Sequence, residues 1–217
     1  MSLSEIALQL SAGMGRSVGI FVLTLLISLP LGLPVALGRM SKNPLLRNVT
    51  KVYISIMRGT PLVLQLIVVY FGPSLLFGLK LQNYRFTAVI IAFAVNYAAY
   101  FGEIYRSGLQ SIPRGQSEAA KVLGYSKAQT FCHILVPQMV RNVLPSVTNE
   151  VITLVKDTSL AYAISYTELF SLAKQIASAQ TTIIPLFVAG VFYYVFNLVV
   201  AVGMEKLEGR MNGGRAQ

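Results

Sequence analysis

The stretch SVGIFVLTLLISLPLGLPVAL, Ser17 to Leu37, contains no charged residue. About 20 residues of helix cross the ~30 Å of hydrocarbon in a bilayer, so this run is long enough to span one. Pro30 and Pro34 do not argue against it, because neighbouring helices satisfy the backbone groups that a proline frees within a membrane. Four further runs have the same character: Leu62 to Leu79, Phe86 to Glu103, Val143 to Ser165 and Ile183 to Met204. The fourth is the least apolar, since it holds Glu150, Lys156 and Asp157. The expected fold class is therefore an all-α membrane protein with five transmembrane helices.

Composition supports this reading. The chain is 54% hydrophobic and 12% charged, whereas soluble domains carry about 25% charged residues. The net charge of +10 does not indicate nucleic acid. The basic residues form no recognition face with interleaved aromatics and fall between the apolar runs. The single cysteine, Cys132, has no internal disulfide partner. Ser2-Leu3-Ser4-Glu5 lacks the positive stretch of a signal peptide, so the first apolar run is expected to be retained.

The placement of Lys and Arg gives an orientation. Arg39, Lys42, Arg47, Lys51 and Arg58 lie between spans one and two, and Arg106, Arg114, Lys121, Lys127 and Arg141 between spans three and four. Lys206, Arg210 and Arg215 add to the same side, against only Arg16, Lys80, Arg85 and Lys174 on the other. The positive-inside rule puts the richer side in the cytoplasm. The N-terminus is then outside and the C-terminus inside, as an odd number of spans requires.

The pieces outside the spans carry helix signals. Ser2 and Glu5 make a capping box, and Leu3, Ile6, Ala7, Leu10 and Met14 follow helical spacing. This predicts an amphipathic helix on the outer surface before span one. Pro44 to Met57 predicts a second interfacial helix, its basic residues near anionic lipid heads. Thr60-Pro61 reads as the start of the next helix, with Thr60 as its cap. In span three, Ala94, Ala98 and Gly102 form a ladder of small residues that permits close helix contact.

The loop between spans three and four, about residues 106–141, contains Glu118-Ala119-Ala120-Lys121-Val122-Leu123-Gly124 and then Ile134-Leu135-Val136-Pro137. Ser117 is a candidate cap, Glu118 suits a first turn, and Ala119 and Ala120 are strong helix formers. Gly124 fits the left-handed residue after a last turn. Ser126 with Gln129 is a second capping box. The product is a helix of about two turns, too short to stand alone in water, so it should be held by the bundle or by a partner.

This run, E-A-A-x-x-x-G followed by I-x-x-P, resembles the EAA loop of permease subunits of bacterial ATP-binding-cassette importers. Three other segments resemble the polar amino-acid branch of that family, the histidine/arginine/glutamine permeases. They are Arg58-Gly59-Thr60-Pro61-Leu62-Val63-Leu64-Gln65-Leu66, the stretch from Glu103 to Gln116, and Lys156-Asp157-Thr158-Ser159-Leu160. The resemblance implies one permease domain over 1–217 in the bacterial cell membrane, with a cytoplasmic coupling helix. It implies two ATP-binding-cassette ATPase subunits docked on Ser117, Glu118, Ala119, Ala120 and Gly124. It also implies a second permease copy or homologue and an extracytoplasmic amino-acid-binding protein. No cofactor is expected in this chain, where no G-x-x-x-x-G-K-[ST] occurs; ATP and Mg would sit on the ATPase. The chain is thus expected to be a transport subunit and not an enzyme.

Ionisable groups inside spans are costly and face a polar cavity or a partner. Glu150 and Asp157 are seven residues apart and share a helix face, while Asn96, Tyr100 and Glu103 form a stripe on span three. Asp157 and Glu103 are candidates to receive the cationic part of a substrate, which would favour arginine, lysine or histidine. Thr158, Ser159 and Gln65 are candidate donors to its carboxylate. The competing reading pairs Lys156 with Asp157 or Glu150, and Glu103 with Arg106. His133 has no metal cluster to join.

Two other functions fit less well. An ion-coupled secondary transporter would show an internal repeat, and none stands out. An intramembrane protease would need a motif such as H-E-x-x-H or G-x-S-x-G, and neither occurs.

Overall fold

The computed structural model describes residues 2–79 and 81–212, so Lys80 and Arg215 of the charge pattern lie outside the described residues. Every described element is helical: α1 (Leu3–Arg39), α2 (Pro44–Gly59), α3 (Leu62–Phe77), α4 (Arg85–Gln110), α5 (Arg114–Val122), the single turn α6 (Lys127–Gln129), α7 (Val136–Asp157), α8 (Leu169–Gln180) and α9 (Ile184–Asn212). A wide π turn, Thr130–Leu135, joins α6 to α7, and a 3₁₀ segment, Thr158–Ile164, extends α7. The wide turn leads into Pro137, which has no N–H to close a regular turn.

The Ser2/Glu5 capping box is present, but it opens a continuous helix of 37 residues. At 1.5 Å per residue such a helix is about 55 Å long. The separate surface helix expected before span one is therefore part of α1, since no chain break or proline intervenes before Pro30. Pro44 starts α2 as expected, with Asn43 as its cap. Thr60 does not cap α3. Its hydroxyl donates to Ile56 O at 2.8 Å, closing α2, and Pro61 occupies the cap position of α3 without a side-chain bond. The two helices meet at 109°.

By length and composition, α1, α4 and α9 can each cross a membrane, and the bent pair α2–α3 makes a fourth candidate, against the five expected. The difference lies in α7, where Arg141, Glu150, Lys156 and Asp157 dilute the apolar residues. Only 6% of the most apolar window of α9 is buried, compared with 61% for α4. Phe187, Val191, Tyr194 and Val199 on α9 are exposed. A face of this kind fits a hydrocarbon solvent, in which an exposed apolar side chain has no hydration cost.

α4 is the central helix. It runs parallel to α1, and the two approach so closely that a Cβ on Gly102 would lie 2.4 Å from Val35 Cγ1. Gly32 meets the Phe101 side chain in the same crossing. α7 runs antiparallel to α4, and a Cβ on Gly108 would fall 2.1 Å from Val143 Cγ1. α9 packs in turn on α7, where Thr148 Oγ1 donates to Glu208 Oε1 at 2.5 Å. The core between them is built from Phe93, Tyr97, Phe101, Val147, Val151 and Leu154, among others.

The short helix α8 was not expected from the sequence. Glu168 caps it, accepting from Phe170 N and Ser171 N at 2.7 Å each. This carboxylate is fully buried and also takes bonds from Tyr193 OH at 3.0 Å and Ser17 Oγ at 3.4 Å. It thereby joins α1, α8 and α9 at one point.

Candidate functional site

The seam between α4 and α7 holds three carboxylates, Glu103, Glu150 and Asp157. Deep in it, Asp157 Oδ2 accepts from Tyr97 OH at 2.8 Å, and Tyr97 is buried against Phe101 and Tyr100. Thr158 is buried and returns its hydroxyl to Val155 O at 2.8 Å, and Ser159 returns its own to Lys156 O at 2.7 Å. These are ordinary helix-end bonds of hydroxyl side chains, so both hydroxyls keep their acceptor lone pairs while their protons are engaged.

Two turns along α7, a cleft of about 390 Å³ opens, lined by Arg58, Tyr100, Glu103, Ser107, Asn142 and Glu150, among others. Glu103 pairs with Arg106 one turn on, the alternative weighed from the sequence, through Nε at 3.0 Å and through Nη2. Arg106 also reaches Gln110. The Arg58 guanidinium lies over the Tyr100 ring, 5.1 Å from its centroid. Asp157 is not on the wall of this cleft. The structure groups Glu103 and Tyr100 with Glu150 and Arg58, and groups Asp157 with Tyr97. Lys156 is exposed, and among the described residues Glu103–Arg106 is the single ion pair.

Gln65 and Asn96 serve the bend between α2 and α3. The Gln65 amide nitrogen donates to Met57 O at 3.0 Å, Thr60 O at 3.2 Å and Thr60 Oγ1 at 2.8 Å. Its oxygen accepts from Asn96 Nδ2 at 2.9 Å, which also reaches Met57 O. Both amides are thus committed to holding two elements in place. No sequence pattern announces this network, because its partners are up to 39 residues apart.

At the far end of α4, α5 forms a nine-residue helix. It begins at Arg114 behind Pro113, so Ser117 lies within the helix and does not cap it. Ala120 is buried at 1% exposure, while Glu118 and Ala119 face outward. Gly124 adopts φ +79°, Tyr125 N donates to Ala120 O at 3.0 Å and Gly124 N to Lys121 O at 3.1 Å. This pair of bonds is the Schellman closure. The Ser126/Gln129 capping box follows at once. Val122 and Leu123 at the tip are 88% and 74% exposed, leaving an apolar knob beside Glu118. His133 is exposed, with Nδ1 near Gln129 O.

Sequence reasoning missed a second cleft, of about 480 Å³, at the opposite end of the bundle, where Arg16 and Arg85 meet Tyr84, Tyr166 and Thr167. Arg16 Nη1 donates to Thr167 O at 2.8 Å.

Comparison with known proteins agrees with this architecture. Residues 28–213 match the family described as binding-protein-dependent transport system inner membrane component. The chain is 36% identical to the arginine transport system permease protein of Bacillus subtilis, covering 87% of this chain and 85% of that one. It is 37% identical to the nopaline transport system permease protein of Agrobacterium fabrum, with 89% and 83% covered. A putative glutamine transport system permease protein of Rickettsia felis is 33% identical, with 88% and 87% covered. Among solved structures, an amino acid ABC transporter with histidines superposes with a TM-score of 0.86 at 31% identity, covering 96% of this chain and 97% of that one. The inward-facing methionine ABC transporter, at 18% identity and a TM-score of 0.79 over 97% and 99% of the two chains, shares the fold. The chain belongs to the inner-membrane components of binding-protein-dependent transport systems and is a multi-pass amino-acid permease of the ATP-binding-cassette type.

Proposed function

We propose that this permease imports basic amino acids, with arginine, lysine and histidine as its substrates, and that ATP hydrolysed by a partner drives it. Two ATPase subunits dock on α5, a second copy or homologue of the chain completes the pathway, and an extracytoplasmic binding protein delivers the amino acid. The N-terminus lies outside and the C-terminus in the cytoplasm, following the positive-inside rule. ATP and Mg are bound by the ATPase alone.

The observation that carries this reading is the Schellman-capped α5 with its exposed Val122 and Leu123. A nine-residue helix held by one buried alanine is too short to stand alone, and its apolar tip is suited to a protein groove. Movement of α5 passes through the capped turn at Ser126 and the π turn into α7, which carries Glu150 and Asp157. The pathway therefore changes access as a two-state element biased by nucleotide.

The preference for basic substrates rests on three carboxylates along the α4–α7 seam. Asp157, held by Tyr97, offers an acceptor to a cationic side chain, and Glu103 and Glu150 mark the route toward α5. Thr158, Ser159, Gln65, Asn96 and Tyr100 shape the surroundings of that route.

Affinity purification of the tagged permease tests the docking assignment. An ATP-binding-cassette subunit should co-purify with the wild type and be lost with Glu118→Lys, while the amount of inserted permease is unchanged. Retention of the subunit, with transport still tied to ATP hydrolysis, would remove α5 as the coupling element.

A further inference from the structure

Arg58 closes the last turn of α2, immediately before the 109° bend. Its neighbours in the chain are fastened on both sides: Met57 O by Gln65 and Asn96, and Thr60 by Gln65. The backbone at Arg58 is therefore fixed against α3 and α4, although the side chain itself is long. That side chain crosses the face of Tyr100 at 5.1 Å and lines the cleft that also holds Glu103 and Glu150. Glu103 is already satisfied by Arg106, whereas Glu150 has no ion-pair partner among the described residues. Arg58 is the cation on the cleft wall left to balance it.

A guanidinium stacked on a tyrosine beside a carboxylate is the arrangement in which a free arginine or lysine would itself be held. We infer that Arg58 is a tethered cation that closes the α5-side end of the transport path, standing on Tyr100 and Glu150 until the cationic end of a passing amino acid takes its place. This rests on reading the α4–α7 seam as the path. It assigns to Arg58 a gating role that neither the coupling helix nor the Asp157–Tyr97 pair performs. The bend fastened by Gln65 and Asn96 sets where the gate stands, so these amides position the gate without touching the amino acid. A displaced Arg58 has somewhere to go, because its side chain is exposed at the end of α2.

The test is leak. Proteoliposomes containing the complete permease–ATPase complex are preloaded with labelled arginine or labelled glutamine, and efflux is followed without ATP. Wild type should be tight to glutamine, whose side chain carries no cation to displace Arg58. Arg58→Ala should raise efflux of both tracers by about two- to fivefold, the scale set by losing an exposed cation–π contact. Millimolar guanidinium added to Arg58→Ala should restore tightness, and Arg58→Lys should leak less than Arg58→Ala. Tyr100→Leu, which keeps Arg58 but removes its platform, should leak as well. An Arg58→Ala variant as tight as wild type would overturn the inference. So would a leak that guanidinium does not reduce, since a merely loosened fold has no use for the lost cation. A wild-type complex that shows no ATP-driven uptake of any amino acid would instead overturn the importer reading, which the leak measurement does not address.

Discussion

Gly124→Ala isolates what closes α5. At φ +79° the residue sits in the left-handed region, and a Cβ placed there meets nothing within 4 Å. The whole cost of alanine is therefore backbone conformation, about 1–2 kcal/mol for an L residue in that region. Such a cost shifts the equilibrium between closed and open forms by a factor of roughly 5–30. The amides that report it are Gly124 N and Tyr125 N, which close on Lys121 O and Ala120 O. Hydrogen exchange on the permease in nanodiscs should show these two amides exchanging faster in Gly124→Ala by about that factor. The buried amides of α4 should be unchanged. Gly124→Asn should fall between wild type and alanine, because asparagine visits the left-handed region more readily. Unchanged exchange in Gly124→Ala, or equal effects of alanine and asparagine, would refute the argument that this turn is held by glycine's conformational freedom.

Three further outcomes follow from the packing and from the seam. Gly108→Ala, whose Cβ would overlap Val143 Cγ1 at 2.1 Å, should lower stability by about 1–3 kcal/mol by overpacking; in thermal unfolding Gly190→Ala, with open space around it, should stay within about 0.5 kcal/mol of wild type. Glu168→Ala removes a helix cap and the acceptor shared by Ser17 and Tyr193, and should cost about 2 kcal/mol or more, while Glu168→Gln, which keeps an acceptor, should cost less. Asp157→Asn should weaken uptake of basic amino acids about tenfold, equivalent to about 1.4 kcal/mol, and an unaltered apparent KM for arginine would make Asp157 a structural partner of Tyr97 alone.

Local chemistry was the legible part of the sequence. Both capping boxes, at Ser2/Glu5 and Ser126/Gln129, are in place, because each closes within four residues and needs no tertiary partner. The same holds for Pro44 at the start of α2 and for Gly124 after α5. Where two local signals competed, the sequence misled. Ser117 is a good cap, but Pro113 starts the helix a turn earlier. Thr60 is also a good cap, but its hydroxyl has a nearer acceptor in Ile56 O. The helix α8 was readable in principle from Leu169, Ala173, Ile176 and Ala177, all on its buried face. What hid it was Glu168, whose role depends on Ser17, 151 residues away, and on Tyr193. The candidate site shows the same division. The stripe of Tyr100 and Glu103 and the shared face of Glu150 and Asp157 follow from helical spacing. That Tyr97 takes Asp157, that Arg106 takes Glu103, and that Gln65 and Asn96 fasten a bend are consequences of which helices pack together.

The measurement that tests the central claim most directly is ATP-driven uptake of labelled arginine by proteoliposomes containing the permease with its co-purified ATPase and binding protein. Lysine, histidine, glutamine and glutamate are added separately as competitors. The account predicts uptake that requires ATP and is suppressed by lysine and histidine but not by glutamine or glutamate. Uptake driven by an ion gradient without ATP would contradict the importer, and ATP-dependent uptake suppressed mainly by glutamine or glutamate would contradict the carboxylate-lined path.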